Sequence, residues 1–209
     1  MNKPDDVREK IINEAMLLFN TRGIAQTSIQ DIMKATALPK GAIYRRFENK
    51  EMIVLAAFER AKGILLDFFV QAEQEGTNVL DKLMKVSAVY RDAVNNPPIP
   101  GGCPMLNTAV ESDGSFPELQ QKAHEAYQVM VQFMRSIIDQ GIRNAEIRPD
   151  TDAIELASFL TDSMEGAIMA SRLTGSADPI QRYMKYVERL VRSCMIDVKN
   201  TGLTKQRNG

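Results

Sequence analysis

From Pro39 to Lys50 the chain reads Pro-Lys-Gly-Ala-Ile-Tyr-Arg-Arg-Phe-Glu-Asn-Lys, a stretch dense in side chains with a definite chemistry. Lys40, Arg45, Arg46 and Lys50 are cations that release counterions from a phosphate backbone, and an arginine can also read a guanine edge through two parallel hydrogen bonds. The Tyr44 hydroxyl suits a phosphate oxygen. Gly41 stands inside what reads as a helix, where glycine costs about 1 kcal/mol relative to alanine; close approach of the backbone to another surface would offset that cost. A solvated basic face with a tolerated glycine accounts for the same residues, and composition leaves the two readings level.

The elements that must position these residues are helical. Val7, Ile11, Ile12, Ala15, Leu18 and Phe19 recur at three- and four-residue steps and predict a first amphipathic helix, with Asp5 and Asp6 at its positive end and Gly23 as its stop. Thr27-Ser28-Ile29-Gln30 predicts a capping box in which Thr27 caps a short second helix and Gln30 reaches back. Pro39 suits the first position of a third helix that runs through Ala42, Ile43 and Phe47. Two short helices joined by a tight turn, 27–36 and 39–47, have the size of a helix-turn-helix. Asn49 is a good cap for a fourth helix from Lys50 into the low seventies, with Ile53, Val54, Phe58, Ala61 and Phe69 inward. Further helices are expected at 79–95, 103–112, 117–144, 151–174 and 179–199, with a break at 95–102 and a polar, disordered tail at 200–209. The alternation that marks strands is missing, so the fold class is all-α.

Composition narrows the function classes. The 209 residues are 44% hydrophobic and 25% charged, enough apolar material for one or two cores. No uncharged apolar run approaches the roughly 18 residues of a spanning helix, and the first residues carry no apolar leader, so a cytoplasmic protein without membrane contact is expected. Residues 1–50 hold 9 Lys and Arg against 6 Asp and Glu, net +3, and the remainder holds 17 against 21, net −4. A basic front on an acidic body suits a polyanion-binding module joined to something else. Cys103 and Cys194 are the only cysteines and read as free thiols. His124 is the only histidine and reads as a surface or pocket-rim residue; without a Cys or His cluster or a glycine-rich phosphate loop, neither a metal, a cofactor nor an enzymatic constellation is expected.

The stretch Thr27-Ser28-Ile29-Gln30-Asp31-Ile32-Met33, followed by Ala37-Leu38-Pro39-Lys40-Gly41-Ala42-Ile43-Tyr44-Arg45-Arg46-Phe47-Glu48-Asn49-Lys50-Glu51, resembles the N-terminal DNA-binding domain of the TetR family of bacterial transcriptional regulators, over roughly residues 8–58. The resemblance implies that Pro39 to Arg46 is the recognition helix, with Lys40, Gly41, Ala42, Tyr44 and Arg46 at bases or phosphates and Thr27 and Lys50 at the DNA backbone. Arg45 joins them on charge. Ile43 and Phe47 read as core anchors. The family often has Ser or Thr where this chain has Pro39, which offers no donor to DNA.

The resemblance further implies a helix-turn-helix domain at 1–49 and a helical effector-binding and dimerisation domain at 50–199. A homodimer through the helices at 151–174 and 179–199 is expected, using Ile154, Ala157, Leu160, Met164, Ala167, Ile168 and Ser171 on the first and Tyr183, Tyr186, Val187, Leu190, Val191 and Cys194 on the second. Candidate effector contacts are Phe58, Leu65, Phe68, Phe69, Tyr90 and Met105 from the earlier helices, and Tyr127, Met130, Phe133, Met134 and Phe159 from the later ones; most of these serve equally as core. Glu111, Asp162 and Glu165 are acidic residues among apolar ones, suited to orienting a cation or to an exposed or interface position. Cys103, in Gly-Gly-Cys-Pro-Met-Leu, matches a branch of the family in which a thiol at a helix start senses oxidants or electrophiles, and reads otherwise as a small apolar plug. The function implied is a ligand-responsive regulator that binds double-stranded operator DNA, a repressor released by a small apolar or aromatic effector. The alternatives are an all-helical small-molecule-binding protein and an activator on the same scaffold.

Overall fold

The computed structural model describes residues 5–196, so the tail expected at 200–209 lies outside the described residues. Helix α1 spans Asp6–Arg22, α2 Ile29–Thr36, α3 Lys40–Tyr44, α4 Lys50–Gln74, α5 Val79–Ser87, α6 Pro104–Ser112, α7 Pro117–Arg143, α8 Ala153–Thr174 and α9 Asp178–Cys194. Among the described residues there is no strand, only an isolated antiparallel bridge between Ile147 and Met195.

Helix starts follow side-chain chemistry. Asp5, Asn49, Asn78 and Asp152 each accept from backbone N–H groups of the first turn they precede, which satisfies donors no intrahelical carbonyl can reach. The cap of α2 is Ser28 rather than Thr27. Its hydroxyl accepts from the Asp31 N–H at 3.2 Å while Asp31 accepts from the Ser28 N–H at 2.8 Å, so Asp31, not Gln30, closes the box. This one-residue shift turns Thr27 inward. Pro39 is the cap of α3, one residue before the helix proper, and the turn ahead of it is made by Ala37 in the left-handed region at φ 54°. The expected helix at 79–95 ends at Ser87 and tightens into a 3₁₀ turn, Ala88–Tyr90, which carries Tyr90 into the core with its ring centroid 6.3 Å from that of Phe69.

Two apolar cores result. The first gathers Ile11, Phe19, Ile32, Ile43, Phe47, Ile53 and Phe58 and is closed by Ile99 and Leu119. The second gathers Phe69, Leu83, Tyr90, Met134, Leu160, Met164, Tyr183 and Val191. Each such side chain contributes about 1.5–3 kcal/mol on full burial. Helix α4, about 37 Å long at 1.5 Å per residue, enters both cores, Ile53 to Ala61 in one and Phe69 in the other. Ala157, Leu160, Met164, Ile168 and Ser171 on α8 and Tyr183, Val187 and Val191 on α9 are buried within this second core region. They hold α8 and α9 to their own chain and are not free to form an interface. The apolar side chains that α8 and α9 turn outward are Ile154, Phe159, Met169, Leu173 and Tyr186.

Candidate nucleic-acid interface and ligand cleft

The outer face of α3 is open. Lys40, Gly41, Tyr44 and Arg45 are exposed together with Pro39, and the Lys40 ammonium lies 5.6 Å from the Tyr44 ring centroid. Ile43 and Phe47 on the opposite face are buried and anchor the helix to the first core. A Cβ built on Gly41 would meet nothing within 4 Å. Among the described residues no neighbour requires glycine there, and the backbone of this face is open to close approach from outside the chain.

Other residues expected at DNA are held elsewhere. Thr27 has 0% exposure and its hydroxyl donates to the Gly23 carbonyl at 2.8 Å. Ala42 is buried against the first core. Arg46 is half-buried, its Nε donating to Asp5 at 2.8 Å, which ties α3 to the start of α1. Burial raises the Asp5 pKa, but the Arg46 guanidinium and the N–H groups of Arg8 and Val7 outweigh it and leave the carboxyl below its ordinary value. The Lys50 ammonium donates to the Ile24 carbonyl at 2.5 Å, and burial holds it below the ordinary lysine value, partly offset by Glu111.

Glu111 makes the more informative contact. From the last turn of α6 it accepts from the Ile24 N–H at 2.5 Å and more weakly from Ala25 at 3.4 Å. The Ile24 peptide, in the turn between α1 and α2, is therefore gripped at its carbonyl by the first residue of α4 and at its N–H by α6. A second latch lies alongside. The Asn20 side-chain amide donates to the carbonyls of Pro100 (2.8 Å) and Gly102 (3.1 Å), and Asn107 donates back to Asn20 Oδ1 (2.9 Å). Gly101 must be glycine here, since it has φ +103° and a Cβ would lie 2.1 Å from the Asn20 carbonyl oxygen.

Among the described residues α6 borders a small hollow against α1 and α4, lined by Phe19, Ile24, Phe58, Asn107 and Glu111 among others, and two further hollows nearer α7 and α8. A narrow cavity of about 40 Å³ lies between α4, α6, α7 and α8, lined by Phe58, Leu65, Phe69, Met105, Met130 and Glu165 among others. An open cleft of about 520 Å³ lies between α6, α7 and α8, lined by Met105, Leu106, Ala109, His124, Tyr127, Asp162, Glu165 and Met169 among others. Only the second has the 300–1,000 Å³ of a small-molecule site. Glu165 borders both, and burial raises its carboxyl to about 7 although the hydrogen bond from Cys103 lowers it. The Cys103 thiol is buried and donates to Glu165 Oε1 at 3.2 Å. Burial and then the Glu165 charge push its pKa well above the ordinary thiol value, overriding the amide N–H groups at the start of α6. Cys103 is thus a buried thiol whose charged form is disfavoured, in contrast to the thiolate that its helix-start position suggests.

Comparison with known proteins agrees with this architecture. The family described as "Bacterial regulatory proteins, tetR family" matches residues 11–57, and the "Tetracyclin repressor-like, C-terminal domain" matches residues 79–187. A TetR-family regulator from Cytophaga hutchinsonii superposes with a TM-score of 0.89 at 34% identity, covering 94% of this chain and 98% of that one. A TetR regulator from Chloroflexus aurantiacus gives 0.87 at 36%, covering 93% and 98%. The chain belongs to the TetR family of transcriptional regulators. A curated relative, the HTH-type transcriptional repressor DhaR of Mycobacterium sp. (strain GP1), is 24% identical over 189 residues, 87% of this chain and 90% of that protein. TetR-family members are regulators, not enzymes.

In this TetR-family chain, then, Pro39, Lys40, Gly41, Tyr44 and Arg45 share an open face, while Thr27, Ala42, Arg46 and Lys50 are buried or tied into the fold. Of the expected effector contacts, Phe58, Leu65, Phe69, Met105 and Met130 line the narrow cavity, and Met105 and Tyr127 line the cleft. Tyr90 and Met134 have no exposed surface, and Phe133 packs on Phe69 at 6.5 Å between ring centroids. Phe68 and Phe159 point outward, Phe159 beside Leu190 and Cys194. Glu111 faces the α1–α2 turn instead of the cleft. Glu165 borders both the narrow cavity and the cleft. It sits four residues after Thr161 and three before Ile168, both wholly buried, and that helical spacing was the signal that it faces inward.

Proposed function

We propose that this chain is a cytoplasmic, homodimeric repressor that binds operator DNA through the exposed face of α3 and is released when a small ligand enters the cleft between α6, α7 and α8. The observation that carries it is Gly41, exposed at the centre of a cationic helix face with nothing in the fold to require it. The outward apolar residues of α8 and α9 support a two-fold dimer, which would set two recognition helices one DNA turn, about 34 Å, apart. Among the described residues no helix is long and apolar enough to cross a membrane. Repression is supported by relatives named as repressors.

The release mechanism rests on α6. Its first turns wall the cleft with Met105, Leu106 and Ala109, and its last turn grips the Ile24 N–H through Glu111. A ligand that fits better when α6 has moved outward shifts the population toward a conformer in which the α1–α2 turn, and with it α3, is re-aimed. Helix α4 follows, because Lys50 holds the carbonyl of the same residue, Ile24. Electrophoretic shift on a fragment from the chain's own upstream region, against random duplex at two salt concentrations, tests DNA recognition. A discrete complex surviving competitor is expected; a competitor-sensitive smear would contradict it. A reporter driven by that region falls when a repressor is expressed and rises for an activator.

A further inference from the structure

We propose that the cleft between α6, α7 and α8 takes an amphipathic amine, with its protonated nitrogen on Glu165 and Asp162 and its apolar body against Met105, Leu106 and Met169. The proposal rests on the reading of this cleft as the ligand site. It begins with an unbalanced charge. One oxygen of Glu165 accepts from the Cys103 thiol, while the other, Oε2, has no exposed surface and no hydrogen-bond partner. A buried carboxylate oxygen without a donor is costly. Asp162, three residues earlier on α8, opens on the same cleft and accepts from the Tyr127 hydroxyl at 2.9 Å. Two carboxylates on consecutive turns of one helix repel an anion.

Among the described residues no cationic side chain pairs with Glu165; Arg172, the cation near this cluster, lies against Gly102 beyond Cys103 and makes no hydrogen bond or ion pair to the carboxylate. Lys62, which lines the narrow cavity with Glu165, is paired with Glu59 at 2.5 Å. Among the described residues no three His, Cys, Asp or Glu side chains are placed to hold a metal ion, so the complementary charge is that of an organic cation. Apart from Gln120 and His124 the remaining wall is apolar or is the Tyr127 ring, which favours a hydrophobic body behind the nitrogen. An ammonium carries three donors, enough for an Asp162 oxygen, one further acceptor such as His124, and Glu165 Oε2 once the Glu165 side chain turns that covered oxygen into the cleft.

The test uses the full chain and three probes of equal body, 4-phenylbutylamine, 4-phenylbutan-1-ol and 4-phenylbutyrate, titrated calorimetrically near pH 8, where the amine is protonated. The amine is expected to bind at least about tenfold tighter than either other probe, a margin typical of a charge-assisted hydrogen bond. Glu165→Gln should remove that margin, lowering amine affinity about tenfold or more while leaving the alcohol unchanged; a variant that merely misfolds would weaken both. Asp162→Asn should have a smaller effect of the same sign. Alcohol or carboxylate binding as tight as the amine, amine affinity indifferent to Glu165→Gln, or no binding by any probe would each overturn the proposal. Operator binding measured on the same samples without probe separates the two readings. Intact DNA binding with no amine preference removes only the ligand class, and amine binding without DNA recognition removes the regulator reading.

Discussion

The α3 face and the α6–α8 cleft are built on opposite plans. On α3 the polar groups are exposed and the glycine is unconstrained, so their presence has no explanation inside the fold. In the cleft the decisive group is buried, its carboxyl raised to about 7 by that burial, and one oxygen is left without a partner. The first surface has the charge and openness to suit a large polyanion, the partner proposed for it; the second holds a buried carboxyl at a cost in folding free energy, which the proposed cation would offset. Replacing the exposed cations of α3 should therefore leave stability nearly unchanged, whereas removing the buried charge of the cleft should raise it.

The largest expected effect is on the open face. Lys40→Glu with Arg45→Glu should lower operator affinity about 100-fold or more at 0.1 M salt and flatten its salt dependence, with the melting temperature nearly unchanged. Fluorescence anisotropy on labelled duplex reads the first two and calorimetry the third. A large loss of stability would show that these cations belong to the fold after all.

In the cleft it is stability that changes. Glu165 binds its proton more tightly in the fold than in the unfolded chain, where its ordinary value is 4.5. The folded state is thus favoured at low pH and loses stability as pH rises from 4.5 through about 7, with the full penalty present above. Glu165→Gln should stabilise the protein by roughly 1 to 3 kcal/mol near pH 8, at about 1.4 kcal/mol per pKa unit, with the gain shrinking as pH falls through that window. Urea unfolding at several pH values checks it. A pH-independent difference would mean the carboxyl is not the titrating group.

The link between the two regions is the next target. Glu111→Ala leaves the Ile24 N–H without its acceptor, at a cost of about 1 to 2 kcal/mol in stability. It should also reduce the change in operator affinity that a cleft ligand produces, measured by repeating the anisotropy titration with and without ligand. The smallest effect is expected at Ala37, where glycine relieves the left-handed backbone and should raise stability by about 0.5 kcal/mol in a thermal melt.

Much of this was legible in the chain itself. Helix positions, the pairing of α2 with α3 and the anchoring roles of Ile43 and Phe47 follow from apolar spacing, because helices three to four residues per turn must bury one stripe. What spacing does not encode is the partner of each polar side chain. Arg46 and Lys50 carry the same charge as Lys40 and Arg45, yet Asp5 lies 41 residues from Arg46 and Ile24 lies 26 residues from Lys50, so their engagement depends on tertiary packing. The engagement of Glu111 escapes spacing for the same reason, its partner being 87 residues away. Small residues on α8 read as an interface stripe because a helix buried against its own chain and one buried against a copy have the same pattern.

Gly41→Ala offers the most direct measurement, made twice on one protein: unfolding free energy and operator affinity. A methyl group there meets nothing in the fold, so stability should rise by about 1 kcal/mol. Operator affinity should fall about tenfold or more, because the methyl group intrudes where the α3 backbone approaches DNA. An affinity equal to that of the unsubstituted chain would contradict the assignment of α3 as the surface that meets DNA.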